Sequence, residues 1–151
     1  MQVSLYAYTS LILGTLSIMD IRTRSVPNYL TLGAYPVFLV FILGDAVAHH
    51  NHSGYQHLLD ALVGAVLLTT FFGTSFWINS QSIGIGDLKI APLFGAILAW
   101  KSWSAFGLGL ATCFLANGIY ALILILTHKA NRKSHIALIP FMFLGFVIAS
   151  V

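Results

Sequence analysis

The sequence predicts an all-α polytopic membrane protein with about six transmembrane helices. Of its 151 residues, 58% are hydrophobic and only 7% are charged, whereas a soluble globular domain carries about 25% charged residues. At about 20 residues per span, six spans use about 120 residues and leave about 31 for connections. No internal repeat or linker divides the chain, so residues 1–151 are predicted to form a single membrane domain.

Six apolar runs follow one another along the chain, and each is apolar on all sides, as lipid or a bundle interior requires. The runs are Val3–Met19, Tyr29–Leu43, Leu58–Ile78, Leu88–Trp100, Trp103–Thr127 and Ile136–Val151. No Lys or Arg precedes the first run, unlike the charged start of a secretory signal peptide, so this run is predicted to be a retained span. The second, fourth and sixth runs are short. These spans are therefore expected to be tilted, re-entrant or extended into polar flanks, and five spans is the alternative count.

The positions of the cations predict how the spans are oriented. With six spans, one side of the membrane receives six of the seven Lys and Arg residues. These six are Arg22, Arg24, Lys89, Lys129, Arg132 and Lys133, and only Lys101 falls on the other side. The protein is expected in the cytoplasmic (inner) membrane. By the positive-inside rule its cation-rich side faces the cytoplasm, so both termini lie outside. The net charge of +3 is too small and too scattered to indicate a nucleic-acid partner.

The acidic residues supply a candidate pair. The chain has no Glu, and its four acids are Asp20, Asp45, Asp60 and Asp87. The predicted topology places Asp20 and Asp87 at the cytoplasmic ends of spans 1 and 4, whereas Asp45 and Asp60 flank the outer loop. Only Asp20 and Asp87 can easily meet, and an acid at a membrane boundary is costly enough to need an explanation.

Two glycines precede Asp87 in the sequence. Gly84 and Gly86 would let a substrate backbone approach Asp87 without meeting a Cβ atom. Asp87 is expected to open span 4, where a carboxylate suits the positive end of the helix dipole. A purely structural alternative for Asp87 is that it is an ordinary helix N-cap. The alternative for Asp20 is that it pairs with the neighbouring arginines at the lipid headgroups.

Three motifs keep a fixed order along the chain. The first motif starts at Asp20 and continues with two arginines, Val26-Pro27-Asn28 and Leu30-Thr31. The second is Gly84-Ile85-Gly86-Asp87-Leu88-Lys89. The third, Ile139-Pro140-Phe141, opens the last span. Together they resemble the type IV prepilin peptidases, membrane-embedded aspartic proteases with a Gly-x-Gly-Asp motif. The resemblance covers nearly the whole chain.

The resemblance implies that Asp20 and Asp87 are the catalytic pair and activate a water molecule between them, with no metal and no cofactor. It implies that the substrates are prepilin or pseudopilin precursors, cut on the cytoplasmic side after a short basic leader that ends in Gly. Gly84 and Gly86 are then expected to shape the approach to Asp87. Four further residues match the motifs but are assigned no catalytic step, namely Pro27, Asn28, Thr31 and Lys89. Of these, Lys89 is interpreted mainly as an orientation signal.

One feature departs from the longer bacterial members of the family. Those carry an extra cytoplasmic region with paired cysteines between their first two spans, together with an N-methyltransferase activity. Here only about nine residues, Asp20 to Asn28, join spans 1 and 2. The expectation is therefore cleavage without methylation, as in the short members that serve Flp or Tad-type pili, and the archaeal preflagellin peptidases share the same core.

Two other functions fit parts of the sequence. A relative of signal peptide peptidase or presenilin also has a Gly-x-Gly-Asp motif, but pairs it with Tyr-Asp, whereas Met19 precedes Asp20 here. A small cation- or proton-coupled transporter, or a pilus-assembly scaffold, could use Asp20 and Asp87 to bind a cation or proton. A transport site is expected near the bilayer midplane, so the depth of the two acids separates these functions.

The remaining unusual residues have structural interpretations. Four histidines, His49, His50, His52 and His57, cluster in the outer loop, but their spacing and side of the membrane argue against a metal site. The single cysteine, Cys113, excludes a disulfide within the chain. It and Asn117 are expected at interhelical contacts. Trp77, Trp100 and Trp103 are expected to anchor helix ends at the membrane interface.

Overall fold

The computed structural model describes residues 2–23, 28–48, 52–78, 84–127 and 137–150, and within these ranges every regular element is an α-helix. Six helices follow the six predicted runs in order, which confirms the all-α fold class. They are α1 (Gln2–Thr23), α2 (Asn28–Ala48), α3 (His52–Ile78), α4 (Ile85–Lys101), α5 (Trp103–Leu126) and α6 (Ile139–Ser150).

Four of these helices are long and apolar enough to cross a membrane. The candidate spans are Ser4–Arg22, Asn28–Asp45, Gly54–Ile78 and Trp103–Leu126. Helix α4 has 17 residues and α6 has 12, as the short fourth and sixth runs led us to expect. The protein is therefore a polytopic integral membrane protein in which α4 and α6 complete the bundle.

Helix α4 lies at the centre of the bundle. Every side chain from Leu93 to Trp100 is buried, and α4 packs against α2, α3, α5 and α6. Helix α6 packs between α1 and α5. Helix α6 also contacts α4, so it links α4 to α1.

Glycines allow two helix pairs to approach closely. A Cβ atom built on Gly64 of α3 would lie 2.5 Å from the carbonyl oxygen of Gly95 in α4. In the second pair, a Cβ atom on Gly145 of α6 would lie 3.3 Å from the Cβ atom of Cys113 in α5. Small residues at such contacts are how membrane helices gain packing contact without a hydrophobic driving force. Cys113 is thus placed at an interhelical contact, as expected.

The three tryptophans divide between surface and core. Trp77 is 88% exposed at the end of α3, and Trp103 is half-exposed and donates a hydrogen bond from Nε1 to Asp60 at 3.0 Å. Trp100 is only 4% exposed, and its ring contacts that of Tyr6 at 6.2 Å. The expectation that Trp100 anchors the interface is wrong, because α4 is enclosed by its neighbours at this level.

Candidate active site

The structure brings Asp20 and Asp87 together at one end of the bundle. Asp20 lies in the last turn of α1 and Asp87 in the first turn of α4. Each is only 8% exposed, and they are close enough for the charge of Asp20 to act on Asp87. The other two acids are not part of this pair. Asp45 is buried beside Leu5 and Trp100 near the end of α2, and Asp60 is bound by Trp103.

Gly84, the residue before α4, holds the carboxylate of Asp87 in place. Gly84 is the N-cap of α4, and its carbonyl oxygen accepts hydrogen bonds from the backbone N–H of Asp87 at 3.1 Å and of Leu88 at 3.3 Å. The Asp87 carboxylate in turn accepts a hydrogen bond from the backbone N–H of Gly84. This last bond is one half of a capping box, the half in which the side chain at N3 accepts from the N–H of the N-cap residue. The helix is therefore capped by Gly84, and the alternative in which Asp87 is the N-cap is wrong.

Both predicted glycines lie beside Asp87. A Cβ atom on Gly84 would lie 3.2 Å from Oδ2 of Asp87, closer than an undisturbed carboxylate would allow. Gly86 is half-buried in the first turn of α4. The absence of a side chain at Gly84 thus leaves room for the Asp87 carboxylate in its observed position.

The start of α6 fixes the carboxylate of Asp20. The backbone N–H of Ile139 donates a hydrogen bond to it, while the next residue, Pro140, has no N–H to offer. Ser17, one turn before Asp20, donates from Oγ to the carbonyl oxygen of Ile139 at 3.4 Å. Ile139-Pro140-Phe141 opens the last helix as predicted, and the structure adds that this motif contacts Asp20.

One oxygen of Asp20 has no partner among the residues that the structure describes. Within the described ranges, Oδ2 of Asp20 is buried and makes no hydrogen bond. A buried carboxylate oxygen without a partner is costly, so this atom is suited to accept a proton, a water molecule or a substrate group. Sequence reasoning had assigned no such difference between the two oxygens.

Helix α5 contributes a thiol near the pair. Cys113 is 1% exposed and lies within electrostatic range of Asp87. Asn117, one turn further along α5, has a buried Oδ1 atom that no described residue hydrogen-bonds. The apolar context of Cys113 predicted a packing contact and gave no sign that it lies near Asp87.

Lys89 and Asn28 form a second polar contact at this end of the bundle. Lys89 donates a hydrogen bond from Nζ to Oδ1 of Asn28 at 2.6 Å, and the hydroxyl of Tyr35 donates to the carbonyl oxygen of Lys89 at 2.5 Å. Lys89 therefore joins α2 to α4, which the interpretation as an orientation signal did not include. Pro27 lies outside the described residues.

A cleft opens beside this contact, between α2 and α4. Its volume is about 320 Å³. The lining residues are Asn28, Thr31, Leu32, Tyr35 and Lys89. Tyr35 was not singled out from the sequence, because a lone tyrosine in an apolar run carries no distinguishing signal.

Several of the cations and histidines named above lie outside the described residues. This applies to Arg24, Lys129, Arg132, Lys133, His49 and His50. Of the described cations, Arg22 and Lys89 lie at the Asp20–Asp87 end and Lys101 lies at the opposite end. Among the residues that the structure describes, no three His, Cys, Asp or Glu side chains are grouped to hold a metal ion.

Two curated relatives resemble the chain. It is 29% identical over 150 residues to the prepilin leader peptidase/N-methyltransferase of Escherichia coli (strain K12), an alignment that covers 96% of this chain and 61% of the relative. It is 26% identical over 127 residues to the protein of the same name from Pectobacterium carotovorum subsp. carotovorum, covering 81% of this chain and 40% of that relative. The chain thus spans less than two thirds of the length of either.

The comparison with protein families agrees with these relatives, while no solved structure matches the chain. The matching family is described as the type IV leader peptidase family, and its model covers residues 7–151. That range contains Asp20, Asp87 and the start of α6. Because the match extends over nearly the whole chain, this protein belongs to the type IV leader peptidase family.

Proposed function

We propose that this protein is an integral-membrane aspartic endopeptidase that removes the leader from type IV prepilin or pseudopilin precursors. The observation that carries the proposal is that two buried aspartates, Asp20 and Asp87, lie close enough to interact at one end of the bundle. Membership of the type IV leader peptidase family and the names of the two relatives support the choice of substrate.

The chemistry follows from two carboxylates that cannot both ionise easily and so share a proton. The ionised carboxylate takes a proton from a bound water as the water oxygen attacks the scissile carbonyl carbon. The protonated carboxylate donates to the carbonyl oxygen and stabilises the tetrahedral intermediate. A proton then passes to the leaving nitrogen and the C–N bond breaks. The products are a leader with a new carboxyl group and a mature chain with a new amino group.

The contacts around each aspartate support these roles. The N–H groups of Ile139 and Gly84 hold Asp20 and Asp87, respectively, which fixes their orientation before substrate arrives. Oδ2 of Asp20 is left without a partner among the described residues, so it can bind the attacking water. Neither a metal nor a nucleophilic side chain is needed for this reaction.

We further propose that cleavage takes place at the cytoplasmic face of the inner membrane. Arg22 and Lys89 lie at the same end of the bundle as the two aspartates, and Lys101 lies at the opposite end. With the other cations of the sequence, the positive-inside rule makes the aspartate end cytoplasmic and leaves both termini outside. Anionic lipid headgroups at that face would attract a basic leader, by about 1 kcal/mol per cation.

The product is proposed to remain unmethylated. Helix α1 ends at Thr23 and α2 begins at Asn28, so only residues 24–27 lie between them. The region with paired cysteines that the longer members carry between these helices has no counterpart here. The alternative of a cation or proton transporter gains no support, because both aspartates lie at helix ends, whereas a transport site is expected near the bilayer midplane.

The test is the mass of a prepilin co-expressed with the wild-type chain, with Asp20→Asn and with Asp87→Asn, after membrane insertion of each variant has been verified. Asp60→Asn is a matched control, since Asp60 contacts Trp103 away from the pair. Wild type and the control are expected to remove a leader ending at Gly, and both site variants to leave the precursor intact. Cleavage by either site variant would contradict the proposal, and a methylated product would contradict its second part.

A further inference from the structure

The cleft between α2 and α4 lies at the same end of the bundle as the aspartates and is not used by the mechanism above. Its volume of about 320 Å³ falls within the range of ligand-binding pockets, roughly 300–1,000 Å³. Lys89 of α4 lines it together with residues of α2, which include the polar Asn28 and Thr31 and the apolar surfaces of Leu32 and Tyr35. The cleft therefore combines one ammonium group with apolar surface.

The ammonium group of Lys89 has bonding capacity to spare. Asn28 accepts one of its hydrogen bonds, and a lysine ammonium has further N–H donors. Within the described part of the chain, no carboxylate forms an ion pair with Lys89, and its one side-chain partner is a neutral amide. Lys89 can therefore donate to an additional oxygen acceptor that enters the cleft.

The cleft is within reach of a peptide bound at the aspartates. Lys89 follows Asp87 by two residues on α4, on a different side of that helix. A helix with its side chains is about 10 Å across, and an extended peptide advances about 3.3 Å per residue. A substrate that crosses the start of α4 therefore reaches Lys89 about three residues from its scissile bond.

We infer that this cleft binds the substrate segment that follows the scissile bond, with Lys89 donating to a backbone carbonyl or carboxylate oxygen of that segment. This inference rests on the proposed function. The segment after the bond is favoured over the basic leader, because Lys89 repels cations. Leu32, which is 64% exposed, and the ring of Tyr35 offer apolar contact surface to that segment.

A lipid headgroup is a weaker occupant for the cleft. Anionic lipid sites in proteins typically use clusters of about four to eight Lys and Arg residues. Lys89 alone lines this cleft among the described cations. A peptide, which carries neutral oxygen acceptors as well as apolar side chains, matches the mixed lining better.

The first test compares steady-state cleavage of a prepilin by wild type, Lys89→Met and Lys89→Arg. Lys101→Met is the matched control, since Lys101 donates to the carbonyl oxygen of Ala149 at the opposite end of the bundle. Lys89→Met is expected to raise KM about tenfold, equivalent to about 1.4 kcal/mol of binding, with kcat little changed. Lys89→Arg is expected to restore part of the loss. An unchanged KM, or a loss confined to kcat, would overturn the inference.

Substrate variants then identify the acceptor. If a carboxylate binds Lys89, replacing any Asp or Glu in the first few residues after the scissile bond with its amide raises KM for wild type and not for Lys89→Met. If a backbone carbonyl is the acceptor, these replacements leave KM unchanged while the Lys89→Met effect persists. Either pattern supports the cleft as a peptide site.

The second test does not depend on cleavage. A photoreactive amino acid at position 32, in an Asp87→Asn background, is expected to crosslink a prepilin through residues after its scissile bond. The same group at position 66 is the control, because Val66 is 63% exposed on α3 and lies outside the cleft. Crosslinks to lipid alone, or equal crosslinking at both positions, would overturn the inference.

If wild type cleaves the precursor without crosslinking at position 32, this inference fails while the proposed function stands. If crosslinking occurs without cleavage by wild type, the proposed function fails and the cleft remains a precursor-binding site.

Discussion

The backbone N–H of Ile139, at the start of α6, donates a hydrogen bond to the carboxylate of Asp20 at the end of α1. The first and last helices thus meet at one of the two aspartates. Ile139 is the backbone donor that the start of α6 can offer to Asp20. Pro140 has no N–H, and the N–H groups of Phe141 and Met142 donate to the carbonyl oxygen of Leu138 at 3.0 Å.

Replacing Ile139 with proline removes this N–H donor and leaves the other backbone hydrogen bonds of α6 in place. Proline is accepted at the first position of a helix, which Ile139 occupies. We expect kcat to fall about tenfold, the equivalent of about 1.4 kcal/mol for one charge-assisted hydrogen bond, with KM little changed. Ile139→Val keeps the N–H and is expected to cost only about 0.5–1.5 kcal/mol of stability. Equal kinetics for the two variants would show that the hydrogen bond does not position Asp20.

Gly84→Ala tests the space beside Asp87. The added Cβ atom would lie 3.2 Å from Oδ2 of Asp87, so the carboxylate must shift. We expect activity to fall several-fold, while the free energy of unfolding changes by no more than about 1 kcal/mol. Gly73→Ala is the control, because nothing lies within 4 Å of the Cβ position there. Cleavage rates and thermal unfolding of both variants check the prediction, and full activity of Gly84→Ala would contradict it.

How far the sequence determines this site can be judged from individual residues. Successive spans alternate in direction, so counting them and their cations brings Asp20 and Asp87 to the same side of the membrane. Counting cannot say which helices become neighbours on that side. The contacts of Ile139 with Asp20, of Lys89 with Asn28 and of Trp100 with Tyr6 all depend on which helices become neighbours, and none was predicted.

Helix boundaries differ for a related reason. The first apolar run stops at Met19, whereas α1 continues to Thr23, because polar residues at a span end can keep their backbone hydrogen bonds while reaching water. The second run similarly stops at Leu43 and its helix at Ala48. Hydrophobicity marks the apolar part of a helix, and Asp20 belongs to the helical turn that follows that part.

The close contact between α3 and α4 predicts a strong effect of added volume. A Cβ atom on Gly64 would lie 2.5 Å from the carbonyl oxygen of Gly95, and backbone cannot move aside as a side chain can. Gly64→Ala is expected to destabilise the fold by about 1–3 kcal/mol or more. Thermal unfolding in detergent, compared with Gly73→Ala on the same helix, measures this. An unchanged melting temperature would mean that the two helices pack less closely than described.

Cys113→Ala separates an aspartic mechanism from one that uses the nearby thiol. Cys113 is buried and packs at the contact between α5 and α6, so loss of its sulfur is expected to cost about 1 kcal/mol of stability. Activity should stay within a few-fold of wild type, since the two carboxylates need no nucleophilic side chain. A loss of activity in a folded Cys113→Ala protein would require a role for the thiol.

The most direct measurement is the single-turnover cleavage rate of purified, membrane-reconstituted wild type, Asp20→Asn, Asp87→Asn and the double variant. Groups that act as one unit are strongly non-additive, and a lost general acid or base typically costs about 10²–10⁴ in rate. We expect each single variant to lose at least about a hundredfold in rate and the double variant to lose no more than either. A single variant with near wild-type rate, or independent losses that multiply in the double variant, would contradict the shared Asp20–Asp87 mechanism.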